Sequence, residues 1–184
     1  MRKIPYSILF FALLLFASCN DFKHLSNRGK LMVKTKQDLF RGLNFDVTLQ
    51  DVKQAEAISP ELEYPDNMRY HIVADSIAEG ESLDVEYFFN KKNQLDLMIA
   101  FYNISDSNAI HPIVNELMRY LEREHGRPKQ DELGWYHWEF QDKKGEPGSI
   151  EINLVGETEA GYMGVEVEMI KYYAYEEKMS NSRK

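Results

Sequence analysis

Two stretches of helical spacing, each followed by three runs of alternating apolar and polar residues, constrain this chain more than any other feature. In the first pass, Thr48 is placed to cap a short helix reaching Ala57, with Asp51 three residues on as its capping-box partner. Leu49, Val52 and either Ala55 or Glu56 form its apolar stripe, and Pro60 and Pro65 bracket its exit. Strands are expected over 70–77, 83–90 and 94–103. The second should turn Leu83, Val85, Tyr87 and Phe89 to one side, and the third Leu95, Leu97, Ile99 and Phe101. Asn90-Lys-Lys-Asn93 reads as the hairpin turn between them.

In the second pass, Ser107 is the expected N-cap and Pro112 falls in the first turn, where its missing N–H costs little. Ile110, Val114, Leu117 and Leu121 recur at helical spacing, Gly126 stops the helix, and Pro128 follows. Strands are expected over 135–141, 149–155 and 163–173. In the first of these, Tyr136, Trp138 and Phe140 read as the core set, leaving Trp135, His137 and Glu139 outside. In the last, Val165, Val167 and Met169 alternate with Glu166 and Glu168.

A three-stranded sheet cannot bury its apolar face without a helix layer, so the expected fold is α+β: a two-layer sandwich of tandem helix–three-strand units on antiparallel sheet. The expected organisation is one domain over 41–175, in pseudo-repeat halves 41–104 and 105–175, with a polar tail over 176–184. The order resembles the tandem helix-plus-sheet fold of the beta-lactamase-inhibitor-protein superfamily, which includes small outer-membrane assembly lipoproteins. Gly42 through Glu56, and His125-Gly126-Arg127-Pro128 followed by Trp135 to Trp138, carry that resemblance. It implies a binding or assembly role and transfers no functional residue.

The N-terminus reads as a targeting segment over 1–18. Arg2 and Lys3 precede an apolar run from Ile8 to Phe16, too short to span a bilayer. Phe16-Ala17-Ser18-Cys19 resembles the lipobox of bacterial lipoproteins, with Phe16 where that family usually has Leu. The resemblance implies cleavage before Cys19, a diacylglyceryl thioether on its sulfur and a third acyl chain on the new N-terminus. Several chains together hold a protein stably in a membrane. Residues 19–40 would then be a lipidated tether. Cys-Asn-Asp also resembles the start of lipoproteins in the Bacteroidetes group, which implies the outer membrane of a bacterial cell envelope.

Composition excludes several function classes. The chain carries 30 Asp and Glu against 22 Lys and Arg, a net charge of −8, and becomes more acidic once Arg2 and Lys3 are removed. That balance argues against nucleic acid, whose phosphates demand clustered bases. Cys19 is the sole cysteine, so no intramolecular disulfide can form.

No catalytic set emerges. Glu122 and His125 have the spacing of a helical metal pair, but such sites need several helices around one centre. His71 and Asp75, four apart on a strand, stand about 13 Å from each other. Ser82 and Ser149 lack a nucleophile-elbow context. No cofactor or metal is expected. The sheet's outer face is the candidate partner-binding surface: Glu86, Phe88, Trp135, His137, Glu139, Glu151, Glu166 and Glu168, with Met98 and Tyr102 beside them. Aromatics supply buried area there and carboxylates steer a basic partner. The expected function is a non-enzymatic, membrane-anchored envelope lipoprotein that binds another envelope protein. The alternative is a small apolar ligand carrier or weak hydrolase, with a pocket between helices and sheet lined by Tyr87, Phe101 and Trp138.

Overall fold

The computed structural model describes residues 21–35, 39–131, 135–142, 145–156 and 163–171. The expected signal segment, Cys19 and the polar tail lie outside these residues, as do residues 157–161 of the loop before the last strand.

The fold is α+β. Among the described residues three helices, α1 (Asn27–Val33), α2 (Leu49–Glu56) and α3 (Ile110–His125), accompany one open antiparallel sheet. Its strands are β1 (Leu62–Glu63), β2 (Asn67–Val73), β3 (Ser82–Phe89), β4 (Leu95–Asn103), β5 (Lys129–Gln130), β6 (Tyr136–Gln141), β7 (Pro147–Val155) and β8 (Gly164–Lys171). They lie in the order β1-β2-β3-β4-β8-β7-β6-β5. Each half is thus a meander, and the last strand of one pairs with the last strand of the other. Each half has four strands rather than three, because a two-residue strand precedes it and covers the outer edge, which limits unpaired backbone there.

The local signals that shape the helices are capping signals. The Thr48 hydroxyl accepts from the Asp51 N–H at 3.3 Å, and an Asp51 carboxylate oxygen accepts from the Thr48 N–H at 2.7 Å, closing the expected box on α2. Its stripe is Val52 and Glu56, both buried. α3 begins differently from expectation: residues Ser107–Ala109 form a 3-10 turn capped by Asp106, whose side chain accepts from the Asn108 N–H, and the α-helix continues from it. Gly126, at φ 84, ends α3 as expected.

The expected tether is partly built into the fold. Residues 21–24 form a 3-10 turn and α1 follows, with Gly29, Met32 and Val33 buried. A carboxylate oxygen of Glu116 on α3 accepts from the Ser26 backbone N–H, and the other accepts from the Ser26 hydroxyl at 2.6 Å. The N-terminus of α1 is therefore pinned to α3.

The larger correction concerns β4. The Asn90–Asn93 turn forms, with Asn93 left-handed at φ 57. On leaving it, Phe89 pairs with Leu95 but Phe88 pairs with Leu97, which makes Asp96 an extra, bulged residue. One extra residue inverts the alternation after it. Met98, Ala100 and Tyr102 are therefore buried in the core, while Leu97, Ile99 and Phe101 point to the other face.

The core gathers Leu83, Val85 and Tyr87 of β3 with Val165, Val167 and Met169 of β8, and with Leu117 and Leu121 of α3. α3 packs on β6, β7 and β8. The registers of the two halves correspond: Tyr87↔Met98 in β3–β4 matches Leu154↔Val165 in β7–β8, each residue moved by 67 positions (154 − 87 = 67, 165 − 98 = 67). The seam obeys the same relation, since Ala100 pairs with Val167. Outward of it the shift becomes 66, so that Tyr70-His71 on β2 corresponds to Tyr136-His137 on β6.

Candidate functional site: the sheet face away from the helices

Alternation on the central strands sends every second side chain away from the core, in rows set by the register. One row runs Arg69, Glu86, Ile99, Glu168, Glu151, His137, Lys129 across seven strands. The next runs His71, Asp84, Phe101, Glu166, Asn153. A third runs Asn67, Phe88, Leu97, Ile170, Ser149, Glu139. The sequence-predicted set of Glu86, Phe88, His137, Glu139, Glu151, Glu166 and Glu168 falls in these rows, and Trp135 continues the alternation just before β6.

Within the set the environments differ. Glu86, Phe88, Trp135, His137, Glu151 and Glu166 are half-buried and Glu139 is exposed. Glu168 is only 3% exposed and Ile170, two residues on along β8, is fully buried, so this part of the face is not a solvated one. Met98 and Tyr102, expected here, belong to the core instead.

Ion pairs cross the strands at both ends. Nε and Nη2 of Arg69 both donate to Oε1 of Glu86. The Nδ1 of His71 lies 2.8 Å from Oδ1 of Asp84 on the neighbouring strand. The register creates that pair, which spacing along one strand cannot reveal. At the opposite end Lys129 donates to Glu139 at 2.6 Å. Between Arg69, His71, Asp84, Glu86 and Glu166 lies a groove of about 540 Å³ floored by Ile99 and Phe101.

A larger depression of about 770 Å³ opens beside the Asn90–Asn93 turn. Its buried Lys171 donates to Glu146 at 2.6 Å and stands 5.5 Å over the Phe45 ring, so its charge is already committed. No shared pocket can be lined by Tyr87, Phe101 and Trp138, because Tyr87 and Trp138 are core residues and Phe101 faces the other side.

Two buried carboxylates, Glu56, expected only as an alternative position of the α2 stripe, and Glu81, not read from sequence, hold the opposite side of the sheet to its helices. Glu56 of α2 accepts from the Arg41 guanidinium at 2.9 Å, from Lys34 at 2.5 Å and from the Tyr87 hydroxyl. Nη1 of Arg41 also donates to the carbonyls of Leu31 and Met32 at 2.7 and 2.9 Å, closing the C-terminal end of α1. Burial works to raise the Glu56 pKa, but Arg41, Lys34 and Tyr87 more than offset it and hold the carboxyl below its ordinary value. Burial and the adjacent carboxylate push the Tyr87 hydroxyl well up. Glu81 repeats the arrangement, accepting from Arg28 at 2.8 Å and from the Tyr102 hydroxyl at 2.8 Å, and its carboxyl is likewise held low against burial. Both tyrosines face the helices, so these networks are structural.

His125 packs on the Phe140 ring at 5.7 Å, and burial lowers its pKa. Among the described residues no group of three or more His, Cys, Asp or Glu side chains converges to hold a metal ion. No helix among them is long and apolar enough to cross a membrane. Comparison with family models, curated proteins and solved structures found no match to this chain.

Proposed function

We propose that the chain is a non-enzymatic lipoprotein of the bacterial cell envelope, anchored through Cys19 in the outer membrane, that binds another envelope protein through the sheet face away from its helices. The domain is read as a two-layer α+β sandwich of two related halves. The 67-residue register relation supports that reading. The observation that carries the binding role is the groove between the Arg69–Glu86 and His71–Asp84 pairs, where half-buried Ile99 and Phe101 lie among charges. Apolar area rimmed by polar groups is the composition of a protein-binding patch.

The anchor reading rests on the lipobox-like Phe16-Ala17-Ser18-Cys19 and on the cysteine being the only one. In cells fed radioactive palmitate, the wild-type chain is expected to label and to sediment with membranes, and Cys19→Ser to do neither. Labelling and sedimentation of Cys19→Ser would sink the anchor. Glu166→Lys should reduce recovery of a cross-linked complex from those membranes. Undiminished recovery removes this face from consideration.

A further inference from the structure

The two halves diverge on the face away from the helices. Ile99 and Phe101 on β4 correspond, 67 positions on, to Glu166 and Glu168 on β8, and the two pairs meet across the seam as Ile99↔Glu168 and Phe101↔Glu166. The apolar floor therefore exists in one half only, and the other half adds Glu166 to the carboxylates of the first half that border it.

Four carboxylates (Glu61, Asp84, Glu86 and Glu166) surround this floor, against Arg69 and His71. The cross-strand pairs engage one oxygen each of Glu86 and Asp84. A carboxylate oxygen can accept more than one donor, so both keep acceptor capacity. An aromatic ring attracts a cation over its face, and a long basic side chain covers apolar surface with its stem. We infer that this groove receives a lysine or arginine side chain from an extended segment of the partner protein, its stem on Ile99 and Phe101 and its charge among Asp84, Glu86 and Glu166. The volume of about 540 Å³ leaves room for residues flanking the basic one. The inference rests on this face being the docking surface and does not require lipid on Cys19.

The test uses the full-length chain, nitrogen-15 labelled, in detergent micelles. It is titrated with the peptide Gly-Val-Arg-Val-Gly and with the same peptide carrying citrulline, which keeps the shape of arginine without its charge. Amide shifts are expected at Asp84, Glu86, Ile99 and Phe101, with the citrulline peptide about tenfold weaker. The double variant Asp84→Asn, Glu86→Gln should lose about tenfold in affinity for the arginine peptide. The pair Glu139→Gln, Glu151→Gln, at the far end of the same face, should lose nothing. Equal affinity for the two peptides, or no shifts at the groove, overturns the proposal. Equal loss in both double variants also overturns it, while leaving the face itself as a cation-attracting surface. A failure of palmitate labelling would not alter any of these readings, so the anchor and the groove stand or fall separately.

Discussion

The first half of the chain assembles its helix layer from pieces and ties them with buried charges; the second uses one long helix and apolar packing. α1 and α2 have seven and eight residues, and Arg41, Glu56, Glu81 and Tyr87 lie almost fully buried around them. α3 has sixteen residues and buries Ile113, Val114, Leu117, Tyr120 and Leu121 as a continuous stripe. Short helices are marginal by themselves because nucleation outweighs the few hydrogen bonds that follow. In the first half the polar network does what length does in the second. The cost is specificity of a fragile kind: each buried charge must keep its partner.

The largest effect should come from cutting that network. Glu56→Ala leaves the Arg41 guanidinium buried without its carboxylate, and is expected to cost about 3–5 kcal/mol in urea or guanidinium unfolding. Loss of amide-exchange protection should centre on α1 and α2. A cost under about 1 kcal/mol would mean that water or another acceptor replaces the carboxylate, and the contrast between halves would collapse.

Acid should separate the halves in stages. His125, whose pKa is lowered from 6.5 by burial, binds its proton more tightly unfolded, so the end of α3 loses stability as pH falls from 6.5 through the lowered value. Glu56 and Glu81 are held below 4.5, so their contribution is complete above 4.5 and is lost as pH falls through their folded values. Amide exchange followed down the pH scale should therefore show the last turn of α3 loosening first, and α1 with α2 opening later. Simultaneous loss across the chain would contradict this order.

The smallest effect tests the local signals. Thr48→Ala removes the α2 cap and should cost about 1 kcal/mol by denaturant melts. The corresponding change at Asp106, which caps only the 3-10 turn ahead of α3, should cost less. An equal loss at both would show that the long helix depends on its cap as much as the short one.

Much of this organisation is legible in the amino-acid order. Helical spacing, the Thr48/Asp51 box, the Gly126 stop and alternation on β3 and β8 are carried by neighbours within a few residues, and local sterics and hydrogen bonding act over that range. The outer positions of β6, β7 and β8 follow from the same alternation, so most of the candidate face could be read. Its binding groove could not. Asp96 shifts the parity of β4 by one residue, and no period in the strand announces a bulge. The expected inward set Leu97, Ile99 and Phe101 therefore became the outward one.

What the sequence by itself determined is two of the three helices, the six longer strands, the α+β class and which residues alternate on most strands, while α1 and the two-residue strands β1 and β5 went unread. The tertiary structure decided the rest: the β4–β8 seam that joins the halves, the His71–Asp84 and Arg69–Glu86 pairs, and the burial of Glu56 and Glu81. Each depends on residues of different elements arriving side by side, which strand register and core packing decide and neighbours along the chain do not.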